Sequence, residues 1–289
     1  MKASASSLAR QPVGLSLRTP HLRDLAALAP ALGFVELRTR DVGTVGGMPL
    51  ADARQLAGRW PLSLQASEVG WDGGLNLIEP TLDELARLID LPRRRVSLAL
   101  PMERETQVLA STVTAIQEAL GQPLLLELGE GADALLDSTR LAELARSTRS
   151  RITLEPDRLL KGAVERAWAS LGTASEERLL WQRAMALALD VTWALWPSSV
   201  GQIRLGGFQA WSQRPGEHRS PRPGRDQRVS PPGWTLLRQT WEHLGPLPTA
   251  LAWDTDLPGL AVLLDEVRLA SELMAEVGAD EEDTAGFDD

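Results

Sequence analysis

The sequence predicts an α/β fold, a single (β/α)8 barrel, and three observations predict it. Short apolar runs alternate with stretches of helical periodicity along the whole chain, which implies a parallel sheet. Eight such alternations fit into 289 residues, near the roughly 250 typical of a closed barrel. The central run, Pro-Leu-Leu-Leu-Glu-Leu-Gly-Glu at 123–130, has three successive leucines, as a strand buried on both faces requires. The competing arrangement, a doubly wound sheet with a second domain, lacks a dividing linker. No Pro- or Gly-rich stretch divides the chain before Gly206, and the remainder beyond that residue is too short to fold alone.

Taken in order, strand 13–18 precedes a helix over 21–32 with Leu22, Leu25, Leu28 and Leu32 on one face. Strand 34–37 pairs with helix 49–60, which has Pro49 in its first turn. Strand 62–65 is followed by a helix starting at Thr81, with Glu84 at capping-box spacing. Strand 96–100 precedes helix 103–120, closed by Gly121. The fifth strand lies in 123–130, ahead of helix 137–147, and the sixth is 152–155, bounded by Pro156. Residues 159–196 form an insert of two helices broken near Gly172, the second capped at 175–177. Strand 200–205 leads into a long loop, 206–232, crowded with Gly, Pro and Ser and carrying arginines at 214, 219, 222, 225 and 228. Helix 234–244, strand 249–253 and helix 260–277 complete the barrel. The domain reading is a flexible N-terminus over 1–11, the barrel over 12–278, and an acidic disordered tail over 279–289.

Composition excludes several classes. With no cysteine there is no disulfide framework, thiolate metal site or cysteine nucleophile, in keeping with a cytoplasmic protein. No apolar run approaches the roughly 18 residues of a membrane span, and a net charge of -9 disfavours nucleic acid as a partner. The three histidines, His21, His218 and His243, lack the paired spacing of a first-row metal site and are read as surface residues, His21 and His243 on outer helices. Gly43, Gly46 and Gly47 form a flexible loop after the second strand, and Asp72-Gly73-Gly74 is turn chemistry. No cofactor motif is present, so the expectation is no cofactor and no metal.

In a barrel the C-terminal strand ends converge on one bowl. Here they bring Arg18, Glu36, Arg38, Arg40, Gln65, Glu68, Glu127, Glu155, Asp157, Arg204, Trp253 and Asp254. Buried carboxylates need counter-charge, and the arginines are the simplest partners.

Several fragments carry a resemblance: Val-Gly-Leu-Ser-Leu-Arg at 13–18, Phe-Val-Glu at 34–36, Trp-Pro-Leu-Ser-Leu at 60–64, Gly-Gln-Pro-Leu-Leu-Leu-Glu at 121–127, Val-Gly-Gln-Ile at 200–203, Leu-Gly-Pro-Leu-Pro-Thr at 244–249, and Trp253-Asp254. In this order and register the chain resembles the methanobactin-type multinuclear non-haem iron oxidases. The resemblance implies a barrel of the xylose isomerase and endonuclease IV type. In active relatives two or three irons oxidise a cysteine of a small peptide, usually with a companion protein that holds the peptide. This chain departs at the ligand positions the resemblance implies. A His after the third strand is Gln65, an acid and a His in the fourth are Leu98 and Ala99, and an acid-Asn pair after the second is Arg40 and Asp41. Glu127 is kept, but the Asn after it is Leu128; the sixth-strand Asp is Glu155, and an Asn-His falls at about Glu165 and Arg166. The seventh-strand histidines are Arg204 and Phe208, the Asp-x-His of the long loop falls near Pro223 and Arg225, and the eighth-strand Glu is Ala252.

These observations support three functional expectations. The first is a catalytically silent, metal-free homologue that binds a peptide, a small molecule or a companion protein. The second is a reworked enzyme in which Glu127 and Glu155 act as acid and base while arginines orient a small anionic substrate. The third is an interaction subunit using Trp168, Trp181, Trp193 and Trp196, since aromatic anchors dominate interfaces. Arg204 is expected to reach Glu36, Glu127 or Glu155 as a built-in counter-ion.

Overall fold

The computed structural model describes residues 12–43, 48–66, 91, 94–171, 177–207 and 225–285. The expected helix at Thr81, the glycines at 46 and 47, and the arginines at 214, 219 and 222 lie outside the described residues, as do His218 and residues 1–11.

Eight parallel strands close into a barrel in sequential order: β1 (Val13–Leu17), β2 (Val35–Arg38), β3 (Leu62–Ala66), β4 (Arg94–Leu100), β5 (Leu125–Leu128), β6 (Arg151–Leu154), β7 (Val200–Gly206) and β8 (Thr249–Ala252). β8 pairs back onto β1, so no strand edge is left open. Every expected strand is present. The outward-facing leucines and valines pack against a helical layer of α1 (Leu22–Leu28), α2 (Thr39–Gly43), α3 (Met48–Ala57), α4 (Thr106–Leu120), α5 (Ala134–Ser147), α6 (Pro156–Leu171), α7 (Glu177–Ala194), α8 (Pro231–Leu244) and α9 (Leu260–Ala285). Two helices, α6 and α7, separate β6 from β7 and pack on one another, with α7 also against α8.

Local chemistry sets the helix boundaries. Ala29 is left-handed at φ 46 and ends α1 one residue before Pro30, earlier than the leucine periodicity suggests. Gly121, at φ 63, closes α4 as expected. Asp133 caps α5 by accepting from the N–H groups of Leu135 and Leu136, so that helix starts ahead of its first periodic residue.

Three expectations are corrected. A short helix, α2, succeeds β2 directly and ends at Gly43, where a loop was expected. The acidic segment from 279 is helical through Ala285, because Ala and Glu are strong helix formers and no proline interrupts them. His21 is buried rather than on the outer surface; Nε2 lies 2.8 Å from the carbonyl oxygen of Pro258 and ties the β1 and β8 ends together. No described helix is long and apolar enough to cross a membrane.

Candidate functional site

Side chains from alternate positions of the strands point into the barrel and build the site in two levels. The lower level is sealed. Ser16, Glu36 and Ser63 are register partners across β1, β2 and β3, so they share the inward face, and all are buried. Arg204, from β7, lies between two carboxylates. Its Nε and Nη2 donate to Glu36 Oε1 and Oε2, both at 2.8 Å. Its Nη1 and Nη2 donate to Glu127 Oε2 and Oε1 at 2.7 and 2.6 Å. Glu155 Oε1 stands 3.6 Å from Nη1. The planar fork thus bridges two acids by paired hydrogen bonds, which an ammonium could not do.

Amides saturate what the guanidinium leaves. Gln202 Nε2 donates to Glu36 Oε2 at 2.6 Å and its Oε1 accepts from Ser63 Oγ at 3.0 Å. Gln65 Nε2 donates to Glu127 Oε2 at 3.0 Å. Burial opposes the charge of Arg204, but Glu127 and Glu36 outweigh it and hold its pKa well above the ordinary value. Burial likewise pushes Glu36 up, and the guanidinium overrides it to leave that carboxyl below its usual range.

The upper level opens onto a cavity of about 890 Å³ lined by Arg38, Gln65, Glu127, Glu155, Asp157, Arg158, Arg225 and Asp254, with Arg40, Glu130, Asp133, Lys161 and Arg166 farther out. Its keystone is Arg225. Nε donates to Asp157 Oδ2 at 2.8 Å, and Nη2 to Glu155 Oε1 at 2.5 Å and Asp157 Oδ1 at 3.2 Å. Its carbonyl accepts from the Asp254 N–H at 2.6 Å. Gly206 and Gly207 make this approach possible: a Cβ at Gly206 would overlap the Arg225 stem, and one at Gly207 the backbone of Gln227.

Arg158, in the first turn of α6, donates to Glu155 Oε2 at 3.0 Å and to the carbonyls of Leu128 and Gly129 at 2.6 and 2.9 Å. Asp254, just past β8, takes Arg18, and Arg38 at 2.8 Å. Burial raises Glu155, yet Arg225, Arg158 and Arg204 bring it down to about 2. For Asp157 burial wins, and its pKa is raised despite Arg225.

The sequence-predicted residues therefore separate. Arg18, Glu36, Arg38, Gln65, Glu127, Glu155, Asp157, Arg204 and Asp254 form one continuous network, and Arg204 meets all three expected acids. Trp253 does not join it: the ring is in the hydrophobic core, and its Nε1 donates to the Asp256 carbonyl at 3.2 Å. Sequence reading missed Ser16, Ser63, Gln202, Arg158 and Arg225 as site residues, the last read only as part of the long loop. The first three obey the same two-residue alternation that exposes Glu36, Gln65 and Arg204, and that alternation is the signal that finds them.

The described residues do not fit the iron cluster that the resemblance implies. Glu36, Glu127, Glu155, Asp157 and Asp254 face Arg18, Arg38, Arg158, Arg204 and Arg225, so the carboxylates and guanidiniums cancel in charge. Gln65, Arg204 and, near its place in the long loop, Arg225 stand where the resemblance places histidines. Among the described residues no three His, Asp or Glu groups converge in a metal-binding arrangement. Among the polar atoms of the bowl without a hydrogen-bond partner are Gln65 Oε1, Arg38 Nε and Arg18 Nε, the first two from residues that are register partners on β3 and β2.

Comparison with known proteins places this architecture. A family described as RiPP precursor modification enzyme MbnB/TglH/ChrH matches residues 188–275. A UPF0276 protein of Chromobacterium violaceum is 30% identical over 291 residues, covering 93% of this chain and 96% of that protein. Among solved structures, a xylose isomerase domain containing protein from Salmonella typhimurium superposes with a TM-score of 0.55 at 14% identity, over 95% of this chain and 99% of that one. A xylose isomerase-like TIM barrel/4-hydroxyphenylpyruvate dioxygenase fusion protein gives 0.58 at 13% identity over 96% of this chain, which spans 45% of the fusion. The structural likenesses carry the fold alone. The near full-length identity carries more: the chain belongs to the UPF0276 proteins and, with them, to the family of RiPP precursor modification enzymes MbnB/TglH/ChrH.

Proposed function

We propose that this chain is a catalytically silent, metal-free member of its family that binds a peptide in the bowl, as a binding or partner protein to an active relative. Arg204 is the observation that carries the reading. Its guanidinium takes up both oxygens of Glu36 and of Glu127, the carboxylates a cation would need, and a metal entering there would meet a fixed positive charge. The unfilled valences support a peptide as occupant. Gln65 and Arg38 line the cavity, and each carries a buried polar atom without a partner, the acceptor Oε1 and the donor Nε; an amide has the N–H and the carbonyl that would complement them.

The enzyme reading with Glu127 and Glu155 as acid and base finds less support. Glu155 is held at about 2, far from a value that exchanges protons near neutrality. Glu127 has both oxygens engaged, and Arg18, Arg38, Arg158, Arg204 and Arg225 are already paired with acids.

Metal analysis of protein purified without chelators tests the proposal. The expected result is iron, manganese and zinc far below one equivalent. Stoichiometric metal in the folded chain would overturn it.

A further inference from the structure

The opposite end of the barrel carries charge of another kind. The residues that lead into β6 and β7, with the last turns of α5, enclose a second cavity of about 610 Å³. Arg146, Arg149 and Arg151 line it, with Glu143 as the one acid among the described lining residues. Arg95, near the start of β4, is close enough to Arg151 that burial and then that neighbour lower its pKa. None of these four guanidiniums has a carboxylate partner among the described residues. The Arg151 stem runs beside Gly201, where an added Cβ would lie 3.0 Å from the Arg151 Cβ.

An exposed indole opens onto this basic cavity. Trp196 lines it and is 75% exposed, and Trp193, on the last turn of α7, is 56% exposed. In a chain of net charge -9, grouped arginines without counter-ions contribute nothing to folding that a solvated polar face would not. Arginine and tryptophan together are the composition of interface hot spots. The exposed Trp196 ring gives the cavity apolar surface that a small anion would not use. A nucleic acid would set a long run of phosphates against an acidic protein, whereas a short acidic segment needs the local patch alone.

We propose that this face docks an acidic segment of a partner protein, its carboxylates on Arg146, Arg149 and Arg151 and an apolar side chain against Trp196. The site is separate from the bowl and independent of what the bowl binds.

Fluorescence anisotropy of the full chain with a fluorescein-labelled peptide of alternating glutamate and leucine provides the test. The expected result is binding that weakens steeply with salt, and a loss of about tenfold or more in Arg146→Glu/Arg151→Glu and in Trp196→Ala. If melting shows the charge-reversed variant unfolded, Arg146→Gln/Arg151→Gln takes its place with the same expectation. The proposal is overturned if the parent chain does not bind, if the variants bind as tightly as the parent, if a lysine–leucine peptide binds equally, or if inorganic phosphate of equal charge concentration displaces the peptide and marks a small-anion site.

Discussion

Arg204 and Arg225 each hold two acids, but one lies in the barrel floor and the other at its rim, and the surroundings give them different work. Around Arg204 the side chains are almost fully removed from water, and Glu36 and Glu127 depend on it for most of their hydrogen bonds. Around Arg225 two of the acids have other partners, since Arg158 also holds Glu155 and Arg18 and Arg38 hold Asp254, while Asp157, whose pKa burial already raises, can take up a proton when Arg225 is lost. A buried charge is costly when its sole counter-ion is removed and much less so when a second remains. Arg204→Met is therefore expected to lose about 3–5 kcal/mol of unfolding free energy in urea. Arg225→Met is expected to lose about 1–3 and to loosen hydrogen exchange near 225–230 first. Replacing Glu36 and Glu127 by glutamine in the Arg204→Met background should recover much of the larger loss, since no bare charge then remains. Equal costs for the two arginine variants would dissolve the distinction between floor and rim.

Acid titration sharpens the same comparison within the rim. Glu155, ordinarily at 4.5, is held at about 2. Its contribution to stability is complete above the unfolded value and is lost as pH falls from 4.5 toward 2, to the extent of roughly 3 kcal/mol. Asp157 acts in the opposite sense. Burial raises its pKa above the ordinary 3.8, so its contribution is present below that value and lost as pH rises through the folded pKa. The two acids share Arg225 and partly offset one another. Urea unfolding between pH 2 and pH 5 should show a flatter acid limb for Glu155→Gln and a steeper one for Asp157→Asn. Identical limbs in both variants would mean that neither carboxyl is perturbed as the geometry requires.

The barrel was legible because burial on both faces leaves a compositional trace, and each apolar run became a strand. The floor was legible in part for the same reason: a charge inside a run such as Val-Gly-Gln-Ile-Arg-Leu has nowhere to go but inward, which marked Arg204, Glu36 and Glu127. Gln202 and Ser63 carry the same mark more faintly, since neutral polar residues in a strand raise less suspicion than charges. The rim was harder. Arg158 belongs to a helix start and Arg225 to the end of a loop, and neither position has a periodicity that points it anywhere; the direction of Arg225 comes from the Gly206-Gly207 slot, a tertiary fact. Trp253 erred the other way, because a strand-end position predicts proximity to the bowl but not the rotamer that turns the ring into the core. His21 was misplaced because its contact, the Pro258 carbonyl, lies in a distant loop.

Gln65 stands on the boundary between the two levels and should show the smallest effect on folding. Its Nε2 donates to Glu127 in the floor, whereas its Oε1, buried at the cavity wall, has no partner. Gln65→Met removes both atoms at similar volume. Losing a hydrogen bond to a charged group costs about 1.5–3 kcal/mol, but removing a buried acceptor without a partner returns about 1–3. Glu127 meanwhile keeps both bonds from Arg204. The two terms nearly cancel, so the variant should unfold within about 1 kcal/mol of the parent. If the floor alone set the role of Gln65, the loss would approach the full cost of the hydrogen bond. If the vacant acceptor exists for an occupant of the bowl, a peptide bound there should instead weaken by about tenfold in the Met variant while stability hardly moves. Calorimetric titration beside urea unfolding separates the two outcomes, and a large loss of stability with unchanged peptide affinity would return Gln65 to the floor.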